Sequence, residues 1–162
     1  MPRSRATAIA PYLKGIAAGT AATLAVSILI VLKRSLAIPG ADLIAVFAEL
    51  AGGFGLPETR AVAWTAHILT GTLAWGLVFG FVAPRFAGDP AIKGIFVGVL
   101  IWVATVFVIF PLLGAGFAGL GTGQTTPAVM LVMHLAYGSV LGGAYDLLRF
   151  LERRRAPDTA AR

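Results

Sequence analysis

The chain has 162 residues, of which 58% are hydrophobic and only 12% charged, with a formal net charge of +6. A mean hydropathy of +0.88 lies far outside the balance of a soluble globular domain, so the composition indicates an integral membrane protein. With no cysteine, disulfides, thiolate metal sites and a cysteine nucleophile are excluded, and the redox compartment cannot be read.

Four stretches reach the roughly 18 to 22 apolar residues needed to cross about 30 Å of hydrocarbon: Tyr12 to Leu32, Ala61 to Val82, Gly94 to Leu113 and Ala128 to Leu148. The expected fold class is all-α, a four-transmembrane-helix bundle built from two parallel-related two-helix repeats. Residues 1–11 read as a tail, 12–83 as a first hairpin, 84–93 as a turn, 94–148 as a second hairpin and 149–162 as a basic tail. Leu13 to Leu32 is too long for the apolar core of a secretory signal and three spans follow it, so it reads as a retained helix.

Between the first two spans, Leu43, Val46, Phe47 and Leu50 share a helical face, with Asp42 and Glu49 polar. This predicts a short helix near 41–51 lying on the outer surface. The loop before the fourth span, GAGFAGLGTGQTTP, carries no charge and reads as a packed irregular cap. Thr126 followed by Pro127 is a good N-cap and first-turn pair for that span.

Orientation follows from the basic residues. Arg3, Arg5, Lys14, Arg85, Lys93, Arg149, Arg153, Arg154, Arg155 and Arg162 fall on one side, against Lys33, Arg34 and Arg60 on the other. Both termini are therefore expected in the cytoplasm, with the chain in the inner (cytoplasmic) membrane. Cations at span ends meet anionic headgroups, so the lipid bilayer is the expected partner and the charge calls for no nucleic acid.

The spans repeat one another. KGIAAG at Lys14 recurs as KGIFVG at Lys93, pairing Gly15 with Gly94 and Gly19 with Gly98. The returning spans align at a smaller spacing, pairing His67 with His134, Gly71 with Gly138 and Gly76 with Gly143. Gly15 and Gly19, like Gly94 and Gly98, form G-x-x-x-G pairs that let helix backbones approach closely in lipid. The cytoplasmic half is thus expected to pack tightly and the outer half to splay into a chamber.

His67 and His134, the only histidines, are expected at one depth on diagonal helices, facing inward because an ionisable group facing lipid is costly. Three readings remain open. They hydrogen-bond to Thr70, Tyr137, a backbone carbonyl or water; they ligate haem b axially, with Gly71 and Gly138 one turn on making room for the macrocycle; or they form a proton-sensing or other metal site. The second arrangement resembles the general plan of membrane b-type cytochromes. Two histidines are too few for a structural zinc site.

Asp146, one turn before Arg149, reads as half of an interfacial ion pair. Ser27, Thr65, Thr70, Thr72, Thr105 and Ser139 read as hydroxyls bonded to helix backbones. No nucleophile with a base, no P-loop and no paired membrane carboxylates occur, so enzymatic activity is not expected. The four spans with HILTGTLAWGLVFG and HLAYGSVLGGAYDLL on the returning helices resemble the uncharacterised YagU-like bacterial inner-membrane proteins. That resemblance implies a four-helix membrane fold and no established chemistry. The sequence reads as a structural or accessory membrane protein, a homo-oligomer or a subunit of a larger complex. The alternatives are a bis-histidine haem b electron carrier and a proton-sensitive transport or acid-response protein.

Overall fold

In the computed structural model of the chain, which describes residues 5–155, five helices follow one another. They are α1 (Arg5–Ser35), α2 (Leu43–Gly53), α3 (Arg60–Val82), α4 (Pro90–Leu112) and α5 (Thr126–Arg155), and no strand occurs among the described residues. All but α2 are long and apolar enough to cross a membrane. Arg3 and Arg162, counted in the charge asymmetry, lie outside the described residues. The segments 5–11 and 149–155, expected as tails, continue α1 and α5 as helix, because Ala, Arg, Leu and Glu are strong helix formers.

Side chains set the starts of the helices. The Asp42 carboxylate accepts the Ile44 N–H (2.9 Å) ahead of α2, and the Thr59 hydroxyl accepts the Val62 N–H (3.3 Å) ahead of α3. Asp89 accepts the Ala91 N–H (2.7 Å), with Pro90 in the first turn of α4. Thr126 departs from its expected capping role. Its buried hydroxyl accepts the Ala41 N–H (3.0 Å) and pairs with Thr122 (3.0 Å), tying the two interhelical loops together.

The two ends of the molecule pack differently. At the turn end, which carries residues 84–89, α1 meets α3 and α4 meets α5 backbone to backbone. A Cβ added to Gly15 would lie 2.8 Å from the Gly80 nitrogen, and one added to Gly94 would lie 2.6 Å from the Gly142 Cα. Ala18 and Ala22 of α1 and Leu141 and Tyr145 of α5 join the hairpins in one buried cluster. Lys14 pairs with Glu152 across α1 and α5, whereas Lys93 donates to the carbonyls of Ala83 (2.9 Å) and Phe86 (2.6 Å), closing the turn.

At the loop end the four long helices separate and α2 folds over them. Ile44 enters the main buried cluster, and Val46 joins a second one with Val106, Phe110 and Met130. The later loop makes a 3-10 turn over Phe117–Thr122 with φ of +55° at Ala118 and +74° at Gly119. Only glycine serves at 119, because a Cβ there would lie 2.6 Å from Cε2 of Phe110. α5 packs on both α1 and α4, and α1 on α3, whereas α3 and α4 form no close backbone seam.

Candidate functional site: a histidine chamber

Between the separated helices lies a cavity of about 170 Å³, walled by Val26 of α1, Phe47 of α2, His67 and Thr70 of α3, Thr105 of α4 and His134 of α5. Both histidines face it, and they are only 6% and 8% exposed. The lining contains no carboxylate, lysine or arginine. Among the described residues no group of three or more His, Asp or Glu stands where it could hold a metal.

The two imidazoles are held in different ways. Nε2 of His67 lies 3.1 Å from the Ser27 hydroxyl of α1. Its ring meets Phe47 and Trp64 edge-on, with centroids 5.5 and 5.6 Å away. His134 is anchored on its own helix, its Nδ1 2.7 Å from the Met130 carbonyl. A carbonyl only accepts, so Nδ1 carries the hydrogen, and in the neutral ring Nε2 is left as a bare acceptor. Facing it at 3.4 Å is the Thr105 hydroxyl, which also donates to the Ile101 carbonyl at 2.9 Å. A hydroxyl has one hydrogen, and the shorter contact takes it. Nε2 of His134 therefore looks at an oxygen whose hydrogen points elsewhere.

Each histidine thus meets a hydroxyl of the preceding span in its own hairpin, and neither meets Thr70 or Tyr137, the side chains the sequence suggested. The Tyr137 hydroxyl instead donates to the Gly71 carbonyl (2.6 Å), the polar link between α5 and α3. Ser27 likewise bonds His67 and not its own helix, while Thr65 and Thr105 bond the carbonyls one turn back as expected. Asp146 makes no ion pair with Arg149 among the described residues. Trp102 donates its indole N–H to the Pro127 carbonyl (2.9 Å).

Two winding faults flank the chamber. Thr70–Trp75 in α3 and Thr105–Ile109 in α4 are wound as π-helix, and Thr70, Gly71, Trp75, Thr105 and Ile109 all line the cavity. Such turns accommodate one extra residue and often mark functional positions. The run TVFVI at Thr105, dense in β-branched residues that crowd an α-turn, was the available signal in the sequence.

The glycine contacts also fix the register of the hairpins. Gly76 and Gly80 take the place against Gly15 and Gly19 that Gly138 and Gly142 take against Gly94 and Gly98. By these contacts Gly76 takes the place of Gly138, and Gly80 that of Gly142. Gly143, expected as the repeat counterpart of Gly76, faces open space. In this register His134 corresponds to Thr72, which lies beyond His67 by on the order of 7 Å along the helix axis. Its upward-reaching ring, bonded one turn back, recovers part of that difference.

The residues do not fit a haem. A Cβ on Gly71 would lie 3.2 Å from the Thr23 Cβ, and one on Gly138 would lie 3.1 Å from the Gly98 Cα. Both glycines are thus filled by neighbouring helices and open no slot for a macrocycle. About 170 Å³ also falls below the roughly 300 to 1,000 Å³ of drug-sized ligand pockets.

A family model described as "Family of unknown function (DUF6789)" matches residues 9–156, covering both hairpins. That match supplies no link to YagU-like proteins. No curated protein and no solved structure matches the chain.

Proposed function

The chain belongs to the DUF6789 family of unknown function, and from its geometry we propose that it is a non-enzymatic accessory membrane protein. In this reading two related hairpins, locked together at the cytoplasmic side, hold a small, mostly apolar chamber with two imidazoles in its wall beneath α2. The duplication is supported by the matching glycine contacts of α1 with α3 and of α4 with α5, and the inside placement of the termini by the asymmetry of Lys and Arg.

One observation carries the reading: both imidazoles line a chamber with no carboxylate, lysine or arginine in its wall, and the groups they meet there are the hydroxyls of Ser27 and Thr105. Proton transfer and acyl or phosphoryl chemistry use the charged partners this wall lacks. What the chamber offers is an acceptor, Nε2 of His134, which a small neutral molecule such as water or an alcohol satisfies by donating one hydrogen.

An accessory role calls for an assembly. Native electrophoresis and mass spectrometry after mild solubilisation of membranes are expected to find the chain in a stoichiometric homo-oligomer or larger complex. A monomer at native expression would sink the proposal. Protein purified with ample haem is expected to show no Soret band; a band abolished by both His67→Ala and His134→Ala would restore the haem reading.

A further inference from the structure

The three cations that stand apart from the rest of the basic residues, Lys33, Arg34 and Arg60, converge. Though they belong to the end of α1 and the start of α3, all three line one cavity of about 540 Å³ at the loop end, together with Asp42. Asp42 partly offsets them: it lies 3.9 Å from Arg34, and its carboxylate also caps α2. Lys33 gives one hydrogen to the Gly40 carbonyl (3.0 Å) and keeps two donors. Arg60 has no carboxylate partner among the described residues. The charged lining carries a net +2, with Trp64 in the wall.

Next to this basic cavity runs a second, almost wholly apolar groove of about 290 Å³ between α1 and α5, lined by Leu29, Leu32, Ala128 and Val132. Lys33, Ile38 and Met133 line both spaces. A cationic, hydrogen-bonding compartment thus lies beside an apolar one at the end of a membrane span, with these three residues as their shared wall. Water-soluble anions match only the first compartment and neutral lipids only the second.

We propose that these adjoining cavities are a binding site for an anionic phospholipid of the leaflet on the loop side, its phosphate between Lys33, Arg34 and Arg60 and an acyl chain along the groove by Val132. Basic residues at the membrane surface each contribute on the order of a fivefold gain in affinity for anionic lipid, and the arginines add forked donors suited to a phosphate. The site adjoins the histidine chamber, sharing Leu43 and Met133 with it, but uses neither histidine and stands whether or not the accessory role does.

The full chain in nanodiscs of phosphatidylethanolamine, titrated with phosphatidylglycerol and read by native mass spectrometry, tests this. The expected result is selective retention of phosphatidylglycerol, reduced about fivefold by Arg60→Gln and on the order of 100-fold by the triple Lys33→Gln, Arg34→Gln, Arg60→Gln variant. Arg149→Gln with Arg153→Gln, at the opposite end, is expected to leave retention unchanged. Val132→Trp, which fills the groove and leaves every charge in place, is expected to weaken retention of the lipid. Equal retention of both lipids, retention undiminished in the triple variant, or loss as large in the Arg149/Arg153 variant would each overturn the proposal. So would inorganic phosphate displacing the lipid at equal concentration, since the groove would then have no part.

Discussion

The turn end and the loop end of this molecule are made from the same four helices and solve opposite problems. At the turn end, glycines remove side chains from the interface until backbones touch, and little else is needed, since lipid gives helices no hydrophobic reason to associate. At the loop end, larger side chains, two π turns and the lid α2 hold the helices apart around a cavity. Close packing at one end is what lets the other stay open without the hairpins drifting apart.

The contrast is sharpest between two glycines of α5. Gly138→Leu drives a side chain into the Gly94 backbone and is expected to cost more than about 3 kcal/mol or abolish folding. Gly143→Leu faces open space and is expected to stay within about 0.5 kcal/mol. SDS-driven unfolding in mixed micelles measures both. Equal costs would return the hairpins to the register that pairs Gly76 with Gly143 and break the account of the tight end.

Next in size is the bond that spans the open region. Tyr137→Phe removes the donor to the Gly71 carbonyl, and the same unfolding assay is expected to show a loss of about 1.5 kcal/mol, near the upper end for buried polar contacts in membranes. A change near zero would mean that α3 and α5 are held by packing alone.

The smallest effects separate the two histidines. Ser27→Ala takes away the hydroxyl that meets His67 and is expected to cost about 0.6 kcal/mol, an average membrane hydrogen bond. Thr105→Val, which keeps the shape and removes a hydroxyl turned toward Ile101, is expected to cost less than half of that. If Thr105→Val is the costlier change, its hydrogen lies on His134 and the bare acceptor disappears.

Much of this architecture was legible because it depends on composition and spacing. Long apolar runs announce four spans, and the G-x-x-x-G pairs announce close contact. The apolar face of Leu43, Val46 and Phe47 marks a short helix between the first two spans, and the structure adds that Ile44, Val46 and Ala51 are its buried residues. The histidines were found because charged or polar rings are rare in lipid, and both do line one cavity.

Their partners were not legible. Alignment by letter matched His67 to His134 and Gly76 to Gly143, but contact depends on which face of a helix a residue occupies. A π turn in α3 shifts that face without changing a single letter. The Ser27 hydroxyl was read as backbone-bonded because most such groups in membrane helices are, and it meets His67 instead. Nor does linear sequence bring Lys33 and Arg34 together with Arg60, from which the whole of α2 separates them.

The π turn at Thr70–Trp75 sits between His67 and Gly76 and Gly80, two of the glycines that lock α3 to α1. It acts as a phase shifter on a shaft clamped at one end. Removing one residue from it would restore ordinary α pitch and turn everything on the loop side by about 100°, swinging His67 out of the chamber while Gly76 and Gly80 kept their seats. The direction in which that imidazole points is therefore set by one surplus residue in the winding of the helix, and the stretch between His67 and Gly76 can lose a residue only at the expense of the site.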